Sequence, residues 1–237
     1  GSLASSVGNG ERFVELAARQ SRVVEAGYQR RYDPAWEEIH RIVGDRALGE
    51  PVMAVGMALW NADPQAWYYD QDASGGMPLT HMSYCYLNAI RWIMGTPTAV
   101  SAMANQKVET APGRVLEETC ATLIQIEGGS FISATASYAG PDSMDSAETR
   151  FLCTNGGVRT NAQDDPGLVS ITVYRGSDTE VRSFKDEPSP FVRQAETFLD
   201  ALDSRGEGRN PPGDALVDLK IAEAISVSTR EQRSVSL

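Results

Sequence analysis

The sequence lacks long hydrophobic stretches, and it is poor in histidine and cysteine. No apolar run in its 237 residues approaches the roughly 20 residues that a membrane-spanning helix requires, so we expect no membrane association. The two histidines have no neighbouring group of cysteines or acidic residues, which argues against a zinc site. Cys85, Cys120 and Cys153 lie far apart and include no CxxC pair. We therefore expect no disulfide framework, and a reducing, cytoplasmic location.

Positive charge and nucleotide-binding motifs are also missing. A formal net charge of -11 leaves no basic surface for nucleic acid or anionic lipid, so neither is expected as a partner. No GxGxxG follows a predicted strand, and there is no P-loop and no GxSxG elbow. The glycine pairs at positions 75, 128 and 156 are interpreted as turns. The sequence thus predicts that no residue of this chain binds a nucleotide cofactor.

The remaining pattern is that of a folded α+β protein. Helices are predicted where apolar residues recur every three or four positions, and strands where they alternate with polar ones. The predicted helices are residues 11–20, 34–43, 78–94, 191–204 and 214–230. The predicted strands are residues 23–28, 52–60, 98–108, 117–126, 131–137, 148–153, 158–160, 168–174 and 180–184. Turns at 127–130 and 154–157 indicate hairpins, so a largely antiparallel sheet is expected.

The most informative stretch is the helix predicted over residues 78–94. It begins after a glycine pair with Pro78 in its first turn, and a glycine ends it. At α-helical spacing His81, Cys85 and Asn88 share one face of an otherwise largely apolar helix. An imidazole, a thiol and an amide in line are consistent with the wall of an active site. Spacing alone favours the simpler interpretation of packed, hydrogen-bonded residues.

Motifs along nearly the whole chain resemble a known family. Residues 3–19 resemble a helix that follows a Glu-Lys-Pro motif, and Arg31-Tyr32-Asp33-Pro34 resembles the start of a second domain. Further similarities lie in the turn at 48–52, the glycine turn at 74–76, the hairpin at 151–159 and the closing helices at 198–202 and 214–235. In this order, the motifs resemble the C-terminal portion of Gfo/Idh/MocA-family oxidoreductases.

This resemblance implies a fold and a division into domains. The fold is α+β, with an open, mostly antiparallel sheet and helices packed on one face. Residues 1–30 correspond to the last helix and strand of a dinucleotide-binding (Rossmann) domain that is otherwise absent from this chain. Residues 31–237 correspond to the substrate-binding and oligomerisation domain. In the family the sheet commonly makes the subunit contacts, so a homodimer or homotetramer is expected.

The resemblance also implies a reaction, which is NAD(P)-dependent hydride transfer at a carbinol carbon of a sugar, inositol or related polyol. NAD or NADP is then the cofactor of the full-length protein, and none is expected for this chain alone. Arg31 and Asn88 are candidate substrate-binding residues, as are the aromatic residues Tyr84 and Trp67. Each has a structural alternative, namely an ion pair for the arginine and core packing for the aromatics. The loop at residues 61–74 is either a lid over a pocket or a packed loop base.

The departures from the family pattern concern its catalytic residues. The chain begins at Gly1-Ser2-Leu3 where the family reads Glu-Lys-Pro-Leu, so the family's catalytic Lys is not in it. His81 stands at the family's Asp position, Cys85 at its His position and Asn88 at the following Asp position. We expect the chain alone to be inactive, with His81 and Cys85 as candidate catalytic residues of the full-length protein. Two alternatives are a non-catalytic polyol-binding or scaffold relative, and thiol chemistry with Cys85 as nucleophile and His81 as base.

Overall fold

The computed structural model describes residues 2–144, 146–161, 163–164, 167–204 and 206–237, without the side chains of residues 83–85 and 163–164. Its helices are α1 (Val7–Arg19), α2 (Pro34–Gly44), α3 (Gln71–Ser74), a π-helical segment (Pro78–Leu87) continued by α4 (Asn88–Met94), α5 (Pro190–Ser204) and α6 (Pro212–Glu231). Local chemistry sets where α2 begins. The Asp33 carboxylate accepts the backbone N–H of Ala35, and Pro34 occupies the first helical position.

The strands are β1 (Pro51–Leu59), β2 (Pro97–Asn105), β3 (Thr119–Ile126), β4 (Phe131–Ser137), β5 (Ser146–Cys153), β6 (Gly156–Thr160), β7 (Gln163–Asp164), β8 (Gly167–Leu168), β9 (Ser170–Arg175), β10 (Asp178–Ser183) and β11 (Val235–Ser236). Within the described residues, nine of them form one open sheet in the order β10-β9-β6-β5-β1-β4-β3-β2-β11. The neighbours are antiparallel except for the parallel pair β1 and β4 at the centre. The predicted α+β class and the mostly antiparallel sheet are confirmed.

One face of the sheet is covered by helices, and small side chains at its centre allow a close approach. The buried positions of β1 are Ala54, Gly56 and Ala58, and those of β4 include Ala134 and Ala136. A Cβ at Gly56 would lie 2.9 Å from the Cδ1 atom of Ile90 on α4. The helix formed by residues 78–94 therefore rests almost directly on the backbone of the central strands.

Two local predictions were wrong. Residues 23–28 form no strand, and the N–H of Ala26 donates to the carbonyl of Asn210 at 3.0 Å. An alternating sequence needs a neighbouring strand to become part of a sheet, and no described residue provides one. The helix predicted at residue 78 is present, but its first ten residues are π-helical instead of α-helical. Its side-chain spacing therefore differs from the 100° assumed above.

Gly56 offers a test of the close approach. Replacing Gly56 by Val should lower the free energy of unfolding by about 1–3 kcal/mol, because the new side chain overpacks the contact with Ile90. The control is Gly44→Ala at the end of α2, where an added Cβ meets no atom within 4 Å. That variant should be neutral or slightly stabilising. Urea unfolding compares the two, and equal stability of both variants would contradict the packing described here.

Candidate active site

The turn before the π segment fixes the position of the following side chains. Gly75 and Gly76 both have positive φ, at 74° and 97°, which is a conformation that favours glycine. The Gly76 N–H is bound by the Ser74 hydroxyl at 3.1 Å, and the Gly76 carbonyl accepts the Thr80 hydroxyl at 2.8 Å. These bonds hold Thr80, and the adjacent His81, at the start of the wide helix. π-Helical turns are rare and frequently occur at functional sites.

The imidazole of His81 lies among aromatic rings. Its ring centroid is 5.2 Å from that of Trp60, 4.9 Å from Tyr68 and 5.0 Å from Tyr138. Trp60 and Tyr138 also contact each other edge to face at 5.1 Å, and Tyr69 lies beneath Tyr138. We refer to these five residues as the aromatic cluster. It forms a partly buried aromatic surface with the His81 imidazole at its centre.

The parallel pairing of β1 and β4 creates this cluster. Leu59 on β1 lies opposite Ser137 on β4, so the next residues of the two strands, Trp60 and Tyr138, leave the sheet side by side. The Trp60 N–H donates to the carbonyl of Ser137 at 3.2 Å. The cluster therefore lies at the end of the only parallel strand pair in the described sheet, next to the start of the π segment.

Two hydroxyl groups contact one nitrogen of His81. The Tyr138 hydroxyl is hydrogen-bonded to Nδ1, and the Thr80 Oγ1 atom lies 3.2 Å from the same nitrogen. No described residue hydrogen-bonds Nε2. Burial lowers the pKa of His81 to about 4, because removal from water disfavours the charged imidazolium. The imidazole is thus neutral at pH 7, which is the form that accepts a proton.

A second polar group of residues, the buried ion network, joins helix 78–94 to α6. Arg91 makes hydrogen bonds to both carboxylate oxygens of Asp218 at 2.8 and 3.1 Å and of Asp214 at 3.0 and 2.9 Å. Arg31 bonds the Asn88 amide oxygen at 2.8 Å and Asp214 at 2.5 Å. Burial opposes ionisation of Asp214, but Arg91 and Arg31 outweigh it and hold its pKa below its usual range. Two arginines therefore balance two aspartates.

The structure separates the residues that the sequence placed on one face. His81 contacts the aromatic cluster, whereas Asn88 is 1 % exposed and donates to Asp218 at 2.6 Å in the buried ion network. Arg31 is also buried there, at 3 % exposure, so both have structural partners and their contact with a substrate stays a prediction. The side chains of Tyr84 and Cys85 lie outside the described residues.

The loop before the helix is partly packed and partly open. Tyr69 is buried, Tyr68 packs edge to face against His81, and Trp67 is 63 % exposed beside Tyr68. The loop is thus a packed base at Tyr69 with one free aromatic ring at Trp67. Trp67 is near the aromatic cluster without touching His81.

Sequence reasoning missed Trp60, Tyr138, Asp214 and Asp218. The two aspartates are four residues apart on α6, and Arg91 follows Asn88 by three on its own helix. Such spacing places each pair on one face of its helix. The sequence could therefore have indicated that these residues interact. Trp60 and Tyr138 gave no comparable indication, because only the pairing of β1 with β4 brings them together.

None of the three glycine pairs lies in the structural setting of a dinucleotide-binding turn. The glycine pairs begin the π segment (residues 75–76), close the β3–β4 hairpin (residues 128–129) and form the start of β6 (residues 156–157), and none joins a parallel strand to a helix. Histidine, cysteine and acidic side chains nowhere gather in threes that suit a metal ion in the part of the chain that the structure describes. None of the described helices combines the length and apolar character needed to cross a membrane.

Comparison with known proteins gives one family match and many structural matches. The family model for the GFO/IDH/MocA C-terminal domain matches residues 36–159. Aldose-aldose oxidoreductase from Caulobacter crescentus, complexed with glycerol, superposes with a TM-score of 0.86 at 23% identity over 99% of this chain and 70% of that one. Levoglucosan dehydrogenase, complexed with NADH and levoglucosan, superposes with a TM-score of 0.87 at 17% identity over 99% and 71%. A search of curated protein sequences found no match.

The buried ion network predicts a large effect of one substitution. Asp218→Ala should lower the free energy of unfolding by about 3–5 kcal/mol, because it leaves the buried Arg91 guanidinium with only one of its two carboxylate partners. The control is Glu231→Ala, which removes an exposed pair with Arg233 and should change stability by less than about 1 kcal/mol. Denaturant unfolding at pH 7 measures both. A loss as small as the control's would show that the network does not stabilise the fold.

Proposed function

The chain belongs to the GFO/IDH/MocA family, because the model of the family's C-terminal domain matches more than half of this chain. We propose the following role for the chain. It is the substrate-binding and oligomerisation domain of an NAD(P)-dependent oxidoreductase. The substrate is a sugar, inositol or related polyol, oxidised at a secondary or hemiacetal CH–OH group. His81 is the residue of this chain that receives the reacting hydroxyl.

The observation that carries this proposal is a neutral imidazole at the centre of an aromatic surface. The faces of Trp60 and Tyr68 suit the apolar C–H faces of a sugar ring. The Nε2 atom of His81 has no hydrogen-bond partner among the described residues, while Nδ1 is bound by Tyr138. A polyol that covers the rings can therefore present one hydroxyl to Nε2. Trp67, exposed beside Tyr68, extends the same surface.

In this proposal the dinucleotide binds to another domain, since no glycine pair of the described residues joins a parallel strand to a helix. When bound, NAD or NADP supplies the hydride acceptor. The residues of this chain bind and orient the polyol, and neutral His81 accepts a hydrogen bond from one of its hydroxyl groups at Nε2. The levoglucosan dehydrogenase complexes contain NADH with levoglucosan or L-sorbose, and this chain aligns with 71% and 70% of those chains. This likeness supports the assignment of polyol binding to the shared part.

Residues 1–30 are then the part that meets the dinucleotide-binding domain. Helix α1 packs on α6 so closely that a Cβ at Gly10 would lie 2.6 Å from Leu219. Its outer side exposes Phe13 and Leu16, at 38 % and 45 %. Residues 22–28, which follow α1, have no strand partner among the described residues. An exposed apolar helix side suits contact with another domain.

Calorimetry on this chain tests the proposal. NADH and NADPH should give no binding heat, whereas one member of a panel of sugars and inositols should bind. His81→Phe should weaken that binding about fivefold or more, because the ring remains but its hydrogen bond is lost. The matched control is His40→Phe. The His40 ring stacks on Trp92 at 3.9 Å and not on the aromatic cluster, so polyol affinity should stay unchanged.

Two outcomes of the calorimetry would contradict the proposal. Dinucleotide binding by this chain would contradict the division of roles, and polyol binding that His81→Phe does not weaken would contradict the site. A non-catalytic polyol-binding relative is the second candidate, favoured by the replacement of the family's Asp and His by His81 and Cys85. In a full-length protein with its dinucleotide-binding domain, tight polyol binding without turnover would decide for this alternative.

We also propose that the uncovered face of the sheet joins two copies of the chain. The face carries rows of apolar and small side chains across adjacent strands, such as Met57, Thr135, Ala121 and Met103 in register. In the next row lies Leu123, which is 52 % exposed. Broad exposed apolar surfaces of this kind mark interaction sites. The rows are uncharged on β1, β4, β3 and β2, and they end at the charged residues Glu148 and Arg150 on β5. An uncharged centre of this kind suits a second copy of the same surface.

Self-association is measured by sedimentation or by light scattering after gel filtration. The chain should form a dimer or tetramer, and Leu123→Glu should shift it to the monomer because a carboxylate is then buried at the contact. The control is Leu199→Glu on α5, where the leucine is 59 % exposed on a different surface. A monomeric wild-type chain, or equal effects of the two substitutions, would contradict an interface through the sheet.

A further inference from the structure

We propose that Thr80 and Tyr138 are positioning residues that hold neutral His81 in the tautomer with its proton on Nδ1. Nε2 then carries the lone pair and is the atom that accepts a hydrogen bond from a polyol hydroxyl. This inference rests on the proposed function for its use. The arrangement of donors and acceptors that carries it is independent of any substrate.

The first step concerns Thr80. A hydroxyl group has a single proton to donate, and the Thr80 hydroxyl donates it to the carbonyl of Gly76 at 2.8 Å. The Oγ1 atom therefore presents only lone pairs to Nδ1 of His81, 3.2 Å away. If Nδ1 also carried a lone pair, two acceptors would face each other at that distance. A proton on Nδ1 removes this unfavourable contact between two lone pairs.

The second step concerns Tyr138. Its hydroxyl is hydrogen-bonded to the same Nδ1 atom and lies 3.5 Å from Thr80 Oγ1. With the proton on Nδ1, the Tyr138 oxygen accepts from the imidazole, and its own proton is free to point to Thr80 Oγ1. The bonds then run in one direction, from His81 to Tyr138, to Thr80 and to the Gly76 carbonyl. In the opposite tautomer, Nδ1 and the Thr80 Oγ1 atom would face each other with lone pairs only.

The third step is the consequence for the other nitrogen. The hydrogen bond made by one ring nitrogen decides which state the other adopts. With Nδ1 protonated, Nε2 is the acceptor of the neutral ring, and no described residue occupies it. Gly76 contributes indirectly. It has a positive φ of 97°, and its carbonyl accepts the proton of the Thr80 hydroxyl. The glycine turn, Thr80 and Tyr138 therefore act together on one proton.

Nitrogen NMR tests the tautomer directly. The chain has two histidines, so His40→Gln leaves His81 as the only imidazole in the spectrum. At pH 7.5, long-range proton–nitrogen spectra should show a protonated, pyrrole-type Nδ1 and an unprotonated, pyridine-type Nε2. Thr80→Val keeps the shape of threonine and removes its hydroxyl, and Tyr138→Phe does the same for tyrosine. Each should lower the ratio of Nδ1–H to Nε2–H tautomer by about fivefold to tenfold.

The control is Tyr68→Phe, since Tyr68 touches His81 with its ring and not with its hydroxyl. It should leave the tautomer ratio unchanged, and backbone amide spectra establish that every variant is folded. A wild-type Nε2–H tautomer, or a ratio that neither Thr80→Val nor Tyr138→Phe lowers, would overturn the proposal. A protonated Nδ1 in a chain that binds no polyol would uphold the positioning and contradict only the proposed function.

Discussion

The buried ion network is the interaction on which the arrangement of the molecule depends. Arg91 and Asp218 join helix 78–94 to α6, and Arg31, which lies shortly before α2, is bonded to the same network. Buried charges are costly without partners, so each member holds the others in place. The helix that carries His81 is therefore fixed at its C-terminal half, by charge and by the close packing of Ile90 on Gly56.

The two halves of that helix have different tasks. The α-helical half, from Asn88 onward, is structural, and its polar side chains are bound inside the protein. The π-helical half carries Thr80 and His81 at the mouth of the aromatic cluster. π-Helical turns are rare, and this one is followed directly by an α-helical half that is anchored in the protein by buried ion pairs. The anchored α-helical half thereby helps to hold Thr80 and His81 in place in the π-helical half.

The candidate site combines several aromatic rings with one imidazole. Burial among these rings keeps His81 neutral. An aromatic surface with one oriented acceptor is a common way to bind a sugar, because apolar faces and hydroxyl groups are recognised separately.

Local patterns in the sequence determined the α+β class, the hairpins at residues 127–130 and 154–157, and the helices around His81 and Asp218. Those features depend on neighbours a few residues apart, as do the glycine turns and the cap at Asp33. The tertiary structure alone decided that β1 pairs with β4, that Tyr138 meets His81 across 57 residues, and that Asn88 meets Asp218 across 130. Periodicity shows which side of an element is buried, but it does not show which distant element covers that side. For the same reason residues 23–28 looked like a strand, although the described chain offers them no partner.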